Sequence, residues 1–425
     1  MEGIGDRIME AVTKHYIQSH DFNGILAVRL REEFKIGEDD LRSLLRELVE
    51  EGLVFLAFDR VQGNPHILRI PPPERDRQIQ LLALEPLRSF GVYPSQTVLR
   101  ERPDLTDFSQ RPFTQQLALG EAQLTPVFFE LSVLEPYYRD PRYHFDYYDL
   151  GGRISVRDEA YLSPQMSERD KVVIETFGVA YDGERKRVIV AFLRYLSDLS
   201  PEHQQIWQAQ IADRECLMNS DYARSSLYGS WPEHYSIYQA LLAEIQEINK
   251  LSALINKPAL FRNDFSEERP VQLHPLLRPT VRNFNEFVQF FDKMLSENLN
   301  REFFRNDITL EEEIERQDGK IEVVRIGTLR LLENWLRTHY RTRDGEDVSA
   351  EDLEPLKRVR KLRQKPAHEI TEDRYDISLA AEQDRLVADV VHALTKMRYI
   401  LMSHPAAKGE YSPPEWLDSD RIVIY

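Results

Sequence analysis

Lys357-Arg358-Val359-Arg360-Lys361-Leu362-Arg363-Gln364-Lys365-Pro366-Ala367-His368 is the stretch from which the rest of the chain is read. Six of its first nine residues are basic, in a 425-residue protein whose formal net charge is −17. Leu356, Val359 and Leu362 recur through it at helical spacing, and Asp347-Val348-Ser349-Ala350 supplies a start, so the stretch closes an amphipathic helix. It is the third of four such patterns. The first runs from Val281 through Phe284, Phe287, Val288, Phe291 and Leu295 towards Phe303. An acidic stretch and a short strand at 321–326 follow, then a second helix with Leu329, Leu332, Trp335, Leu336 and Tyr340. The fourth carries Leu379, Leu386, Val390, Val391, Leu394 and Met397. Four helices with short joins over residues 275–405 predict an up-down bundle, with 406–425 as a tail.

A local reversal of charge in so acidic a chain calls for an anionic partner, which would meet Arg358, Arg360, Lys361 and Lys365. The alternative is a solvated helix face on which Glu351, Glu354 and acids of the second helix pair with the cations. The end of the run is where chemistry would reside. Cleaving RNA without a metal needs a group of near-neutral pKa to move a proton, and a fixed cation to hold the charged phosphorane. His368 and Arg363 are those two types. On a regular helix they lie roughly 140° apart around the axis. Pro366 cannot donate to the Leu362 carbonyl and should kink or restart the helix, which redirects one residue relative to the other.

Arg363 to His368 resembles the Arg-polar-x-x-x-His motif of the HEPN superfamily, the higher eukaryote and prokaryote nucleotide-binding domains, over residues 275–405. The resemblance implies a four-helix bundle and, in catalytic members, a metal-independent endoribonuclease whose site forms where two motif copies meet in a homodimer. It maps Arg363 and His368 onto the signature pair and Gln364 onto the polar position. Non-catalytic members bind nucleotides or partners instead. Ribonuclease toxins of the superfamily often carry Tyr two residues after the His, where this chain has Ile370. His339 and His392, on the second and fourth helices, read as polar edges of their helices.

Upstream, residues 1–72 predict a winged helix-turn-helix. Ile8, Met9, Val12 and Tyr16 mark a first helix, Ile25 to Phe34 a second, and Leu41, Leu44, Leu45, Leu48 and Val49 a third after Gly37. Strands at 53–58 and 67–70 around Gly63-Asn64-Pro65 would make the wing. The outward face of the third helix offers Arg42 and Arg46 to DNA beside Glu38, Asp39, Asp40, Glu47 and Glu50, and the wing adds Arg60 and His66. Acids outnumber bases there, so docking of a protein competes with binding of DNA.

Residues 73–99 read as a connector with a helix over 79–87, and 100–270 as a central α+β domain. Its small antiparallel sheet draws on 126–134, 144–148, 171–181 and 187–195, with Asp182-Gly183 as a hairpin turn. Helices follow from Ser200-Pro201 through Trp207 and Ile211, and over 235–255. His144, Asp146 and Asp149 read as polar ends of a strand rather than metal ligands. Tyr137, Tyr138, Tyr143, Phe145, Tyr147 and Tyr148 serve either as core or as stacking surface for bases.

The expected class is therefore an α+β multidomain protein: winged helix, central α+β domain, HEPN-like bundle. The single cysteine, Cys216, excludes internal disulfides and fits a reducing, cytoplasmic setting. No signal-like N-terminus, membrane-length apolar run, phosphate loop or nucleophile elbow occurs, so no membrane partner and no cofactor are expected. The net charge disfavours indiscriminate nucleic-acid binding, leaving a local basic patch as the only route. Such a combination is similar to bacterial stress or antiphage defence effectors, with RNA as substrate. The competing expectation is a regulator or scaffold whose bundle only dimerises.

Overall fold

The computed structural model describes residues 3–62, 64–69, 72–101, 108–316, 319–341, 350–364 and 372–425. The chain is mixed helix and sheet, its sheets small and almost entirely antiparallel. It divides into two compact units: Met1–Asp146 with Gly151–Ser230, and Tyr147–Leu150 with Trp231–Tyr425.

The first unit opens with α1 (Ile4–Gln18), β1 (Ile25–Leu26), α2 (Ala27–Phe34), α3 (Glu38–Glu50) and β2 (Val54–Phe58). The apolar stripe read from the sequence is the one α3 buries: Leu41, Leu44, Leu45, Leu48 and Val49. The expected wing strand at 67–70 is corrected. Residues 67–69 form no strand, Ile70 lies outside the described residues, and Leu68 instead accepts a hydrogen bond from the Leu124 N–H at 2.9 Å. The partner of β2 is β3 (Phe90–Pro94), which lies between β2 and β1.

This central strand comes from the stretch read as a connector. All five of its residues are buried, so it lacks the polar alternation that marks a half-exposed strand. Gly91 is required in it: a Cβ there would stand 2.6 Å from the Pro65 carbonyl oxygen. The other half of the supposed connector is α4 (Arg75–Leu84), which packs on α3. Gln78 of α4 is buried and ties the region together, accepting from Leu56 N at 2.8 Å and donating to Pro73 O at 2.7 Å.

A larger antiparallel sheet completes the unit: β4 (Pro126–Phe129), β5 (Tyr143–Tyr148), β6 (Gly151–Val156), β7 (Val173–Asp182), β8 (Arg187–Phe192) and β9 (Cys216–Met218). Its order is β4-β8-β7-β6-β5, with β9 also on β7. The Asp182-Gly183 turn joins β7 to β8, its carboxylate accepting from the Glu184 and Lys186 N–H groups at 3.0 and 2.9 Å. Beyond Phe129 the expected strand gives way to a short 3₁₀ turn, Leu131–Leu134. The expected helix to Ile211 is α5 (Pro201–Gln208), capped by Ser200, whose hydroxyl accepts from His203 N.

The second unit contains β10 (Tyr235–Ser236), α6 (Ile237–Leu254), α7 (Val281–Met294), a hairpin of β11 (Glu311–Glu315) and β12 (Ile321–Arg325), α8 (Thr328–His339), α9 (Glu354–Gln364), α10 (Ser378–Met402) and β13 (Ile422–Val423). The four expected helices correspond to α7 to α10. Two readings are corrected. First, α6 belongs to this unit and packs against α10, where Arg398 Nε donates to Glu244 Oε2 at 2.8 Å with neither side chain exposed. Second, residues 406–425 are no free tail: β13 pairs with β10 in parallel, Leu417 is buried, and the Asp418 carboxylate accepts from Arg398 and Tyr399. None of the described helices is long and apolar enough to cross a membrane.

Candidate functional site

The helical stripe of α9 explains where its cations point. Leu356 and Val359 face the core, and Arg363 continues their row at i+7 and i+4. Arg363 is therefore aimed at α7 rather than at solvent. There it meets Asp292, whose side chain has no exposure, and donates from Nη1 to Oδ2 at 2.6 Å. The same Nη1 also donates to Glu297, which is 37% exposed. Arg360, one turn back, donates from Nη1 to Ser296 Oγ at 3.0 Å and stands 3.6 Å from Asp292 Oδ2. The Ser296 hydroxyl in turn donates to Asp292 Oδ1, and the Ser296 carbonyl accepts from Thr328 Oγ1 of α8 at 2.6 Å.

The cluster thus ties α7, α8 and α9 together. Hydrogen bonds to Asp292 and Glu297 stabilise the charged guanidinium and push the Arg363 pKa above its already high value. Among the described residues, Arg360 and Arg363 each bond through Nη1 alone. The Nε and Nη2 edge, whose two N–H groups match two oxygens of a phosphate, bonds to no described residue in either case. The Arg363 side chain is 29% exposed and that of Arg360 40%.

The remaining cations divide. Lys357 pairs with Glu333 of α8 at 2.9 Å, and Arg358 with Glu382 and Asp389 of α10 at 3.3 and 3.4 Å. Lys361 and Gln364 are exposed and bond to no described residue. Lys365 and His368, with Pro366, Ala367 and Ile370, lie outside the described residues. The chain beyond them is fastened back to the start of α7: Val281 N donates to Arg374 O and Arg282 N to Asp373 Oδ1. His392 is exposed on α10, and His339 stacks on Trp335, its Nδ1 3.0 Å from the Trp335 carbonyl oxygen.

Asp292, Ser296 and Glu297 were not singled out from the sequence. A signal existed: Asp292 sits one turn after Val288 and beside Phe291, on the apolar face of its helix, where a carboxylate demands a cation.

In the first unit Arg42, expected to face DNA, is engaged within the fold. Its guanidinium donates to the carbonyls of Leu82 and Glu85, at 2.9 Å for the latter, and to Glu38, so it caps the end of α4. The reason is the helix inserted after β2, which covers that face of α3. Arg60 pairs with the Glu85 carboxylate at 3.4 Å, while Arg46 is exposed. The aromatic group is mostly core: Tyr137, Tyr143, Phe145 and Tyr147 are buried, and Phe145 stacks on Phe177. Asp146 pairs with Arg153 and Asp149 with Arg269. Among the described residues no three His, Cys, Asp or Glu side chains are grouped to hold a metal.

No protein-family model, curated protein or solved structure matches the chain.

Proposed function

We propose that the chain is a HEPN-like effector that cuts RNA without a metal, by way of Arg363 and His368. The observation that carries this reading is the Arg360–Arg363 pair. Two guanidinium groups are anchored by one buried carboxylate, and their Nε and Nη2 groups bond to no described residue, at the helix end that leads into the His368 segment. Cations held in place before the reaction stabilise developing charge without reorganising, which is the larger part of what such a site contributes.

The reaction follows from these groups. The ribose 2′-oxygen attacks the adjacent phosphorus and gives up its proton as the 2′-O–P bond forms. The P–O5′ bond breaks, and the departing oxygen takes a proton. His368 moves protons at pH near 7, and Arg363, with Arg360, holds the phosphorane oxygens. The products are a 2′,3′-cyclic phosphate and a 5′-hydroxyl. Two copies of the motif meeting in a homodimer would complete the site. The first unit's order of α1, β1, α2, α3, β2 and β3, with β3 between β1 and β2, supports a winged-helix reading in which 59–89 is an enlarged insertion. With Arg42 committed to α4 and an acidic α3 face, that unit fits docking of a protein better than of DNA. A role in bacterial stress or antiphage defence, in the cytoplasm, follows from the same resemblance.

A second reading is favoured by one observation: Lys357, Arg358, Arg360 and Arg363 are all paired with acids of neighbouring helices. In that reading the protein is a non-catalytic regulator or scaffold, and the cluster is a structural tie. The two separate when the protein is incubated with a mixed RNA pool in EDTA. Fragments ending in 2′,3′-cyclic phosphate, lost in Arg363→Ala, support the nuclease; intact RNA at every enzyme concentration supports the scaffold.

A further inference from the structure

We infer that Glu297 is an acidic gate on the Arg360–Arg363 phosphate site, an inference that rests on the RNA-binding part of the reading above. Two carboxylates share Arg363 Nη1, and their surroundings differ. Asp292 is fully buried on α7, held by Ser296 and flanked by both guanidinium groups. It is an anchor that cannot leave without exposing its helix face. Glu297 follows the end of α7 and is 37% exposed. Its backbone is fixed, the N–H donating to Asp292 O and the carbonyl accepting from Arg262, while the partly exposed side chain accepts from Arg363. An ion pair of this kind has little net strength and exchanges readily with other anions.

Counting charges at the cluster, Arg360 and Arg363 contribute two positive and Asp292 and Glu297 two negative, which leaves it neutral. A phosphodiester approaching the two guanidinium groups meets that neutral cluster, in which Glu297 is the exposed anion and Asp292 the buried one. The protein is strongly acidic as well, at −17. Affinity for RNA is therefore held low until Glu297 swings away or is neutralised. Removing its charge while keeping its shape gives the cluster a net positive charge, with Asp292 still holding Arg363 in place.

The test uses the full chain and a fluorescein-labelled 16-nucleotide single-stranded 2′-O-methyl RNA, which lacks the attacking hydroxyl, with anisotropy read in EDTA across a salt series. For Glu297→Gln the expected result is binding tighter by roughly three- to ten-fold, the effect of one nearby charge at a partly exposed site. Its salt slope should be steeper by up to about one ion. Arg363→Ala should bind more weakly than the unchanged protein. If Glu297→Gln equals the unchanged protein while Arg363→Ala loses binding, the site stands and the gate is overturned. If neither substitution alters binding, or nothing binds, both the gate and the site are overturned. Glu297 is partly exposed and Gln keeps its shape, so the variant is expected to fold, which a thermal melt superimposable on that of the unchanged protein would verify.

Discussion

Arg363 reaches from the last turn of α9 to Asp292, 2.6 Å away on a helix 71 positions earlier, and this bond joins the basic end of α9 to the core that supports it. Asp292→Ala would leave Arg360 and Arg363 without their shared acceptor. Because both guanidinium groups keep some access to water, the loss should be roughly 1.5–3 kcal/mol rather than the larger figure for a sealed pair. Urea unfolding reads it as a shift in midpoint at unchanged slope.

The sealed pair is Arg398 with Glu244, neither exposed, joined by Asp418 from the C-terminal segment. Arg398→Ala strands a buried carboxylate and should destabilise the second unit by about 3–5 kcal/mol. Replacing both partners, Arg398→Met with Glu244→Leu, should recover most of that loss, since a desolvated ion pair and a well-packed apolar pair are of comparable worth. A double variant no better than Arg398→Ala would assign the cost to packing instead of charge.

His274 gives a pH dependence. It is buried, and burial, reinforced by the nearby Arg269 charge, holds its pKa down to about 4 against an ordinary 6.5. The imidazole is thus neutral in the fold, while the unfolded chain takes up a proton as pH falls below about 6.5. Its contribution to stability is complete above that value and is lost progressively as pH drops to about 4, amounting to about 3 kcal/mol. Unfolding measured across this window should show a slope that His274→Phe flattens, provided the variant still folds.

How much of this was legible follows from individual residues. The helices α3, α7, α8 and α10 were readable because each turns one apolar face to a core. The strand β3 was not, because Phe90 to Pro94 is buried throughout and shows no alternation. Nor was β6, which has no counterpart among the expected strands: a Cβ on Gly152 would lie 1.8 Å from Asp146 O, so glycine is there for close approach. Arg42 was assigned to DNA since the carbonyls that hold it, Leu82 and Glu85, are about forty positions away. The cations of α9 were found, and pairing with acids of the second helix was among the readings, as Lys357 with Glu333 shows; the acids of α7 and α10 that engage Arg363 and Arg358 were not. The described residues stop short of His368, so its role still rests on the motif.

Arg42 supplies a prediction for the first unit. As the cap of α4 it should matter to folding and not to duplex binding. Arg42→Ala should cost about 1–3 kcal/mol in unfolding experiments. The salt slope of any weak binding to duplex DNA should stay the same, whereas a lost phosphate contact lowers it by about one. A changed slope with unchanged stability would return Arg42 to a groove-facing role.

The central claim is tested most directly by incubating the purified protein and His368→Ala side by side with mixed RNA in EDTA and assaying the new ends for 2′,3′-cyclic phosphate. The account predicts metal-independent fragments bearing that end with the unchanged protein, and none with His368→Ala, at equal folding and equal oligomeric state. Equal cleavage by the two proteins, cleavage only when magnesium is added, or no cleavage by either would contradict it.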